Sequence, residues 1–238
     1  MREYVKSGEL IVWIGNANSI SIPKDKALEW FSAEEIAAWQ SLKFDKLRCF
    51  YAAVHLAVRT NIASFFDVCP SSVAIGKKIC PRCGSFRHGP PALFVGNKEL
   101  SFSLSKSYPF FAFSVARCAV GIDIERKNQE GLSRLGDDVF SSFERKNIIQ
   151  WGDPLALRYW VRKEALTKAQ GVGIAYPLRF VDVSKPYLGR SQFDSIYVEG
   201  RQGKWLVSDI PADSTDCLLS VAIPLREADY AIKVLQAE

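Results

Sequence analysis

The chain has 238 residues, of which 48% are hydrophobic and 12% aromatic, and it carries a formal net charge of +5. This composition excludes a disordered tail and allows one large domain or two smaller lobes that share an interface. The mild positive charge favours acidic or phosphorylated partners and does not require nucleic acid. The apolar run at 10–14 is too short for a signal-peptide core or a membrane span, and the six scattered cysteines read as reduced thiols, so a cytoplasmic protein is expected.

Along the chain, ELIVWI at 9–14 predicts a first strand, and SAEEIAAWQSL at 32–42 predicts a helix capped by Ser32 with Glu35 three residues on. A second amphipathic helix is expected over about 45–64 from Phe50, Ala53, Val54, Ala57, Val58 and Ile62. His55, inside that apolar helix, reads as a hydrogen-bonded packing histidine. In CPRCGSFRH, residues 80–88, Cys80 and Cys83 have zinc-ligand spacing, and His88 and Cys69 could complete a tetrahedral set. A single CxxC without a second pair is weak, yet it defines one candidate function: a zinc-stabilised binding module using Cys80 and Cys83.

Short connections then separate runs at 92–95, 100–105, 110–116 and 119–124, which predicts neighbouring antiparallel strands. In the second half a helix is expected at 137–150, and another at 153–170 with Asp153 as cap, Pro154 at its first position and Gly171 at its end. Strands at 195–200, 204–210 and 217–223 repeat the helix-then-strands order of the first half. The expected fold is therefore α+β, with two similar lobes at 1–117 and 118–238, each an antiparallel sheet packed with helices.

AVGIDIERK, residues 119–127, poses the chemical question. Its alternation sends Ile122 and Ile124 to one face and Asp123 and Glu125 to the other. Buried carboxylates need compensation, and a cation, a metal ion or a basic substrate clamp would each supply it. On the 153–170 helix, Trp160, Lys163, Glu164, Thr167 and Lys168 follow spacings of three and four and share a stripe. Alone, that stripe is a solvated Lys/Glu face. Meeting Asp123 and Glu125, it would form a hard oxygen site suited to Mg²⁺.

VGIDIE (120–125) and WVRKEALTK (160–168) together resemble the 4′-phosphopantetheinyl transferase superfamily, whose signature is a (V/I)G(I/V)D(I/V)E strand and a W-x-x-K-E-(A/S)-x-x-K helix. HGPP at 88–91, LSFSLSKS at 100–107 and GVGIAYPL at 171–178 resemble that family's (Y/H)GKP, FN(I/L)SHS and G-x-G-(I/L)-x-x-(P/L) stretches. Length and layout are similar to its monomeric surfactin-synthetase-activator type, with the active site in the cleft between the lobes.

The resemblance implies transfer of the 4′-phosphopantetheine of coenzyme A to a serine of an acidic acyl or peptidyl carrier protein. It implies Mg²⁺, or Mn²⁺, held by Asp123, Glu125 and Glu164. Glu164 resembles the base for the acceptor serine, Lys168 the group that assists the leaving phosphate, and Lys163 a further phosphate contact. Ser105 and Lys106 occupy positions of a 3′-phosphate site, His88 lies in the nucleotide-side loop, and Arg48, or Lys46 beside it, occupies the place of a basic group near the start of the second helix. Glu144 resembles a further acidic residue near the metal site, with a helix cap as the alternative. Two departures stand out: Pro90 replaces the lysine of GKP, and Lys106 replaces the histidine of SHS.

Overall fold

The computed structural model describes residues 5–21, 29–80, 84–85, 89–135, 138–172, 177–186, 193–200, 203–212, 216–225 and 230–238. Among these, strands β1 (Glu9–Asn16), β2 (Val73–Lys77), β3 (Pro91–Val95), β4 (Lys98–Ser107), β5 (Phe110–Ala116) and β10 (Ala231–Gln236) form one sheet in the order β10-β1-β5-β4-β3-β2. Strands β6 (Gly121–Arg126), β7 (Ser195–Gly200), β8 (Gly203–Asp209) and β9 (Cys217–Pro224) form a second, ordered β6-β9-β8-β7. Among the described residues they are accompanied by the α-helices α1 (Ala33–Ser41), α2 (Asp45–Phe66), α3 (Ser142–Trp151) and α4 (Asp153–Ala169). The fold is α+β, and no described helix is long and apolar enough to cross a membrane.

The alternation of the strands explains the layering. Ile11 and Trp13 of β1, with Phe111 and Phe113 of β5, pack against Val54, Val58 and Ile62 of α2. The opposite side chains, Leu10, Val12 and Ile14, meet Ile122 and Ile124 of β6 and Leu219, Val221 and Ile223 of β9. Beneath the second sheet, Val207 and Ala222 pack on Ala165, Leu166 and Ala169 of α4. The order of layers is thus α2, first sheet, second sheet, α4. Burying Ile122 and Ile124 completely contributes about 1.5–3 kcal/mol each, enough to hold β6 in place while its odd positions turn toward α4.

The local signals act largely as expected. Ser32 and Glu35 close a reciprocal capping box on α1. A second box, Ser141 with Glu144, starts α3 at Ser142, later than the expected 137. Asp153 is not the cap of α4, which is Gly152. Its carboxylate instead accepts the backbone N–H groups of Gly131 (2.9 Å) and Ser133 (2.7 Å), pinning the preceding loop to the helix start. Strands β2 and β10 lay outside the expected elements. β10 pairs parallel to β1, from Glu9 with Ala231 to Ile14 with Gln236, so the first sheet is not purely antiparallel and the chain's last strand crosses the division expected at 117/118.

Candidate active site

The site begins with a glycine. A Cβ on Gly121 would lie 1.9 Å from the carbonyl oxygen of Ala165, so only glycine lets α4 press this closely on β6. One pleat further on, Asp123 (3% exposed) meets the last turns of α4. Lys168 Nζ lies 2.6 Å from Asp123 Oδ1, and it donates also to Ser105 Oγ (2.9 Å) and to the Ile122 carbonyl (3.2 Å). Ser105 in turn donates to Asp123 Oδ1 at 2.7 Å. Glu125 is half-buried and accepts from Ser107 Oγ and Gln129 Nε2, both at 2.7 Å.

Glu164, 7% exposed, faces the same cluster. Burial, then the Asp123 charge, pushes its carboxyl up to about 7, against the pull of Lys168. Burial and the neighbouring Asp123 likewise raise Glu125. Three carboxylates therefore crowd around one ammonium, and the excess negative charge is unpaid inside the protein.

Among the described residues, no three His, Cys, Asp or Glu side chains are placed as a group that could hold a metal ion. Two oxygens nevertheless point to a missing partner: Asp123 Oδ2 and Glu164 Oε1 are buried without any hydrogen bond. Leaving such atoms bare costs about 1–3 kcal/mol each or more when charged, and hard anionic oxygens suit a hard divalent cation. The donor chemistry fits Mg²⁺ at Asp123 and Glu164, with Glu125 beside them already sharing one oxygen with Ser107 and Gln129.

A cationic patch borders the carboxylates. Lys106 of β4 is exposed, and its ammonium is held below its ordinary value by local desolvation and by the like charges of Lys77 and Lys168. Because the side chain reaches solvent, the crowding of three lysines is the more telling cause. Lys106 also stands 5.7 Å over the Tyr51 ring, and Lys46 stands 4.0 Å over that of Tyr108.

Several expected contacts lie elsewhere. Lys163 is not a phosphate contact: it is fully buried, 2.8 Å from Glu144 Oε2, and donates to the carbonyls of Leu178 (2.8 Å) and Val181. Glu144 also accepts the Val183 N–H at 2.9 Å, so this pair locks α3, α4 and residues 178–183 together rather than serving the carboxylate cluster. Arg48 does sit near the start of α2, but its guanidinium is tied to Asp45 and to the Leu42 carbonyl (2.8 Å). Neither arrangement leaves the group aimed at the carboxylates. His88 and Cys83 lie outside the described residues, as does part of the 171–178 stretch; Cys80 is half-buried, and no disulfide joins the described cysteines.

Sequence reasoning missed Ser107, Lys77 and Tyr51. Ser107 had a signal: Ser103, Ser105 and Ser107 alternate along β4 just as Asp123 and Glu125 do along β6, and Ser103 Oγ accepts the Ile122 N–H at 3.1 Å. Lys77 had a weaker one, the short basic cluster GKK at 76–78, which marks positive charge but not its neighbours Lys106 and Lys168 on other elements. Among curated proteins, no match to the chain is found. Residues 119–233, the segment that carries Asp123, Glu125, Glu164 and Lys168, match the family model described as the 4′-phosphopantetheinyl transferase superfamily, and this segment is accordingly similar to that superfamily's domain.

Proposed function

We propose that the protein transfers the 4′-phosphopantetheine of coenzyme A to a serine hydroxyl of an apo acyl or peptidyl carrier protein, releasing 3′,5′-ADP. The family match supports phosphopantetheine transfer in general. The observation that carries the finer proposal is the pair of bare, buried oxygens on Asp123 and Glu164 beside Lys168.

Asp123, Glu125 and Glu164 would hold Mg²⁺, or Mn²⁺, and the bound ion would neutralise the oxygens of the coenzyme A pyrophosphate. Glu164 accepts the proton of the carrier serine, directly or through a water. The serine oxygen bonds to the β-phosphorus as the bond to the 3′,5′-ADP oxygen breaks. Lys168, fixed by Ser105 and the Ile122 carbonyl, offsets the charge that gathers on that departing phosphate. Lys106 and Lys77 supply cations for the remaining phosphate, Lys77 standing in for the lysine absent at Pro90. The net charge of +5 complements an acidic carrier. A monomeric, cytoplasmic enzyme of the surfactin-synthetase-activator type, with coenzyme A along the seam between the sheets, completes the proposal.

The test is the intact mass of apo carrier proteins incubated with the enzyme, coenzyme A and Mg²⁺. Gain of one phosphopantetheine, abolished by Asp123→Ala, is expected. No gain across a panel of fatty-acid, polyketide and peptide carriers overturns the proposal.

A further inference from the structure

The two carboxylates of β6 are each held by one oxygen, and the donors that hold them follow a pattern of their own. β6 is an edge strand of its sheet, and the side it leaves unpaired meets β4. There Ser103, Ser105 and Ser107 recur at every second residue, on the face of β4 opposite to Phe102, Leu104 and Lys106. Ser103 Oγ accepts the Ile122 N–H at 3.1 Å, and Ser107 Oγ accepts the Arg126 N–H at 3.3 Å. Hydroxyls thus stand where the carbonyls of a neighbouring strand would. Ser105 and Ser107 then spend their own protons on the carboxylates.

An ionised carboxylate oxygen has about two acceptor positions. On Asp123, Oδ1 has both filled, by Ser105 Oγ at 2.7 Å and Lys168 Nζ at 2.6 Å, while Oδ2 is buried and bare. On Glu125, Oε2 has both filled, by Ser107 Oγ and Gln129 Nε2, each at 2.7 Å, while Oε1 accepts no hydrogen bond among the described residues. The division is the same on both side chains: one oxygen saturated by the protein, one left over. A cation that gripped either carboxylate through both oxygens would have to displace a donor, whereas one that took a single oxygen from each would disturb none. Hard divalent cations differ in this respect. Ca²⁺ gathers roughly six to eight oxygens, often both of one carboxylate, whereas the smaller Mg²⁺ demands an octahedron and completes it with waters and phosphates.

We propose that Ser107 and Gln129 on Glu125, together with Ser105 on Asp123, are positioning residues that limit each carboxylate to one metal-binding oxygen and so make the site select Mg²⁺ or Mn²⁺ against Ca²⁺. The inference rests on the cation site proposed above. Gln129 is its sharpest marker, because among the described residues its side chain bonds to Glu125 alone.

Mn²⁺ is the probe, since the paramagnetic resonance signal of the free ion is lost on binding, and Mg²⁺ and Ca²⁺ compete for its site, with and without coenzyme A. Wild type is expected to release Mn²⁺ to Mg²⁺ at a concentration about tenfold or more below that needed for Ca²⁺. Gln129→Ala, alone and combined with Ser107→Ala, is expected to narrow that ratio by about three- to tenfold, through tighter Ca²⁺ binding, and Ser107→Thr, which keeps the hydroxyl, is expected to preserve it. A purely structural role would weaken all three ions together and leave the ratio unchanged; that result, or equal wild-type preference for Mg²⁺ and Ca²⁺, overturns the selectivity proposal. Wild type that binds Mn²⁺ in neither condition overturns the cation site and the transfer proposal with it. As a check independent of variant folding, infrared difference spectra of wild type on adding Mg²⁺ are expected to show the wide separation of carboxylate stretches that marks single-oxygen coordination. The narrow separation of two-oxygen coordination overturns the assignment.

Discussion

Glu35 and Glu164 are almost equally buried, at 5% and 7% exposure, yet the protein treats them in opposite ways. Glu35 Oε1 accepts from His55 Nδ1 (2.6 Å) and an Arg59 guanidinium nitrogen (3.0 Å), and its Oε2 accepts from Arg59 and from the Ser32 N–H (3.0 Å). Burial alone would raise this carboxyl, but His55 and Arg59 outweigh it and hold it at about 2. Glu164, by contrast, has a bare oxygen and two acidic neighbours, and is pushed up to about 7. Depth is the same; the ratio of donors to carboxylates differs. The cluster around Glu35 is closed, whereas the cluster around Glu164 keeps a bare oxygen and an excess of negative charge, the feature on which the proposed cation site rests.

Paired substitutions break or sharpen that contrast. Glu164→Gln is expected to lower carrier phosphopantetheinylation by about 10²–10⁴-fold. Its melting temperature should stay level or rise, since an uncompensated buried carboxylate has been removed. Glu35→Gln should do the reverse, costing about 3–5 kcal/mol because Arg59 is left buried without its partner, while transfer rates below the melting transition stay near wild type. Urea titration and the mass-based transfer assay read both. A stable, inactive Glu35→Gln together with an unstable, active Glu164→Gln would invert the assignment of the two clusters.

Acid provides the next largest effect. The folded-state pKa of Glu35, about 2, lies below the ordinary 4.5, so its contribution is present above about pH 4.5 and is lost as pH falls toward 2. That difference is worth up to about 3 kcal/mol. Burial lowers His55 from 6.5, opposed by the Glu35 hydrogen bond and assisted by Lys106 and Arg59. Its neutral ring is favoured in the fold, so protonation in the unfolded state also erodes stability as pH falls below about 6.5. Tyr51, stacked on His55 at 3.9 Å, closes the cluster to water. Urea midpoints should therefore fall between pH 7 and pH 3, with a flatter decline in Glu35→Gln. Parallel declines in the two proteins would show that Glu35 is not the group lost.

The open cluster was the more legible of the two. Period-two alternation put Asp123 and Glu125 on one face, and a three-four spacing put Glu164 above Lys168, so local geometry predicted half of each contact. It failed at Lys163, one residue from Glu164 and hence about 100° around the helix. That rotation aims Lys163 at Glu144 and away from Asp123, and a stripe drawn through both residues blurs two opposite environments. The link of Glu35 to His55 and Arg59 spans 20 and 24 residues, and the β10–β1 pair spans most of the chain. No periodicity encodes such distances, although the capping box at Ser32 and the apolar run of α2 fixed each partner locally.

The smallest expected effect tests whether the open cluster borrows its cations as proposed. Pro90 cannot supply a side-chain charge, but the strand beside it can: Lys78 donates its N–H to the Pro90 carbonyl at 2.8 Å, and Lys77 pairs with Pro91. A Cβ on Gly89 would lie 1.6 Å from the Lys78 carbonyl oxygen, so that glycine lets the turn close onto the end of β2. Alternation places Lys77 on the face of Val73 and Ile75, and Lys106 on the matching face of Phe102 and Leu104, both toward α2. Lys77→Ala should therefore weaken coenzyme A about three- to tenfold at low salt, a loss of roughly 1 kcal/mol. Because the group is exposed, the difference from wild type should shrink as ionic strength rises. Calorimetry at two salt concentrations measures both; equal affinities at low salt would remove Lys77 from the phosphate site and leave Lys106 and Lys168 to balance the anion alone.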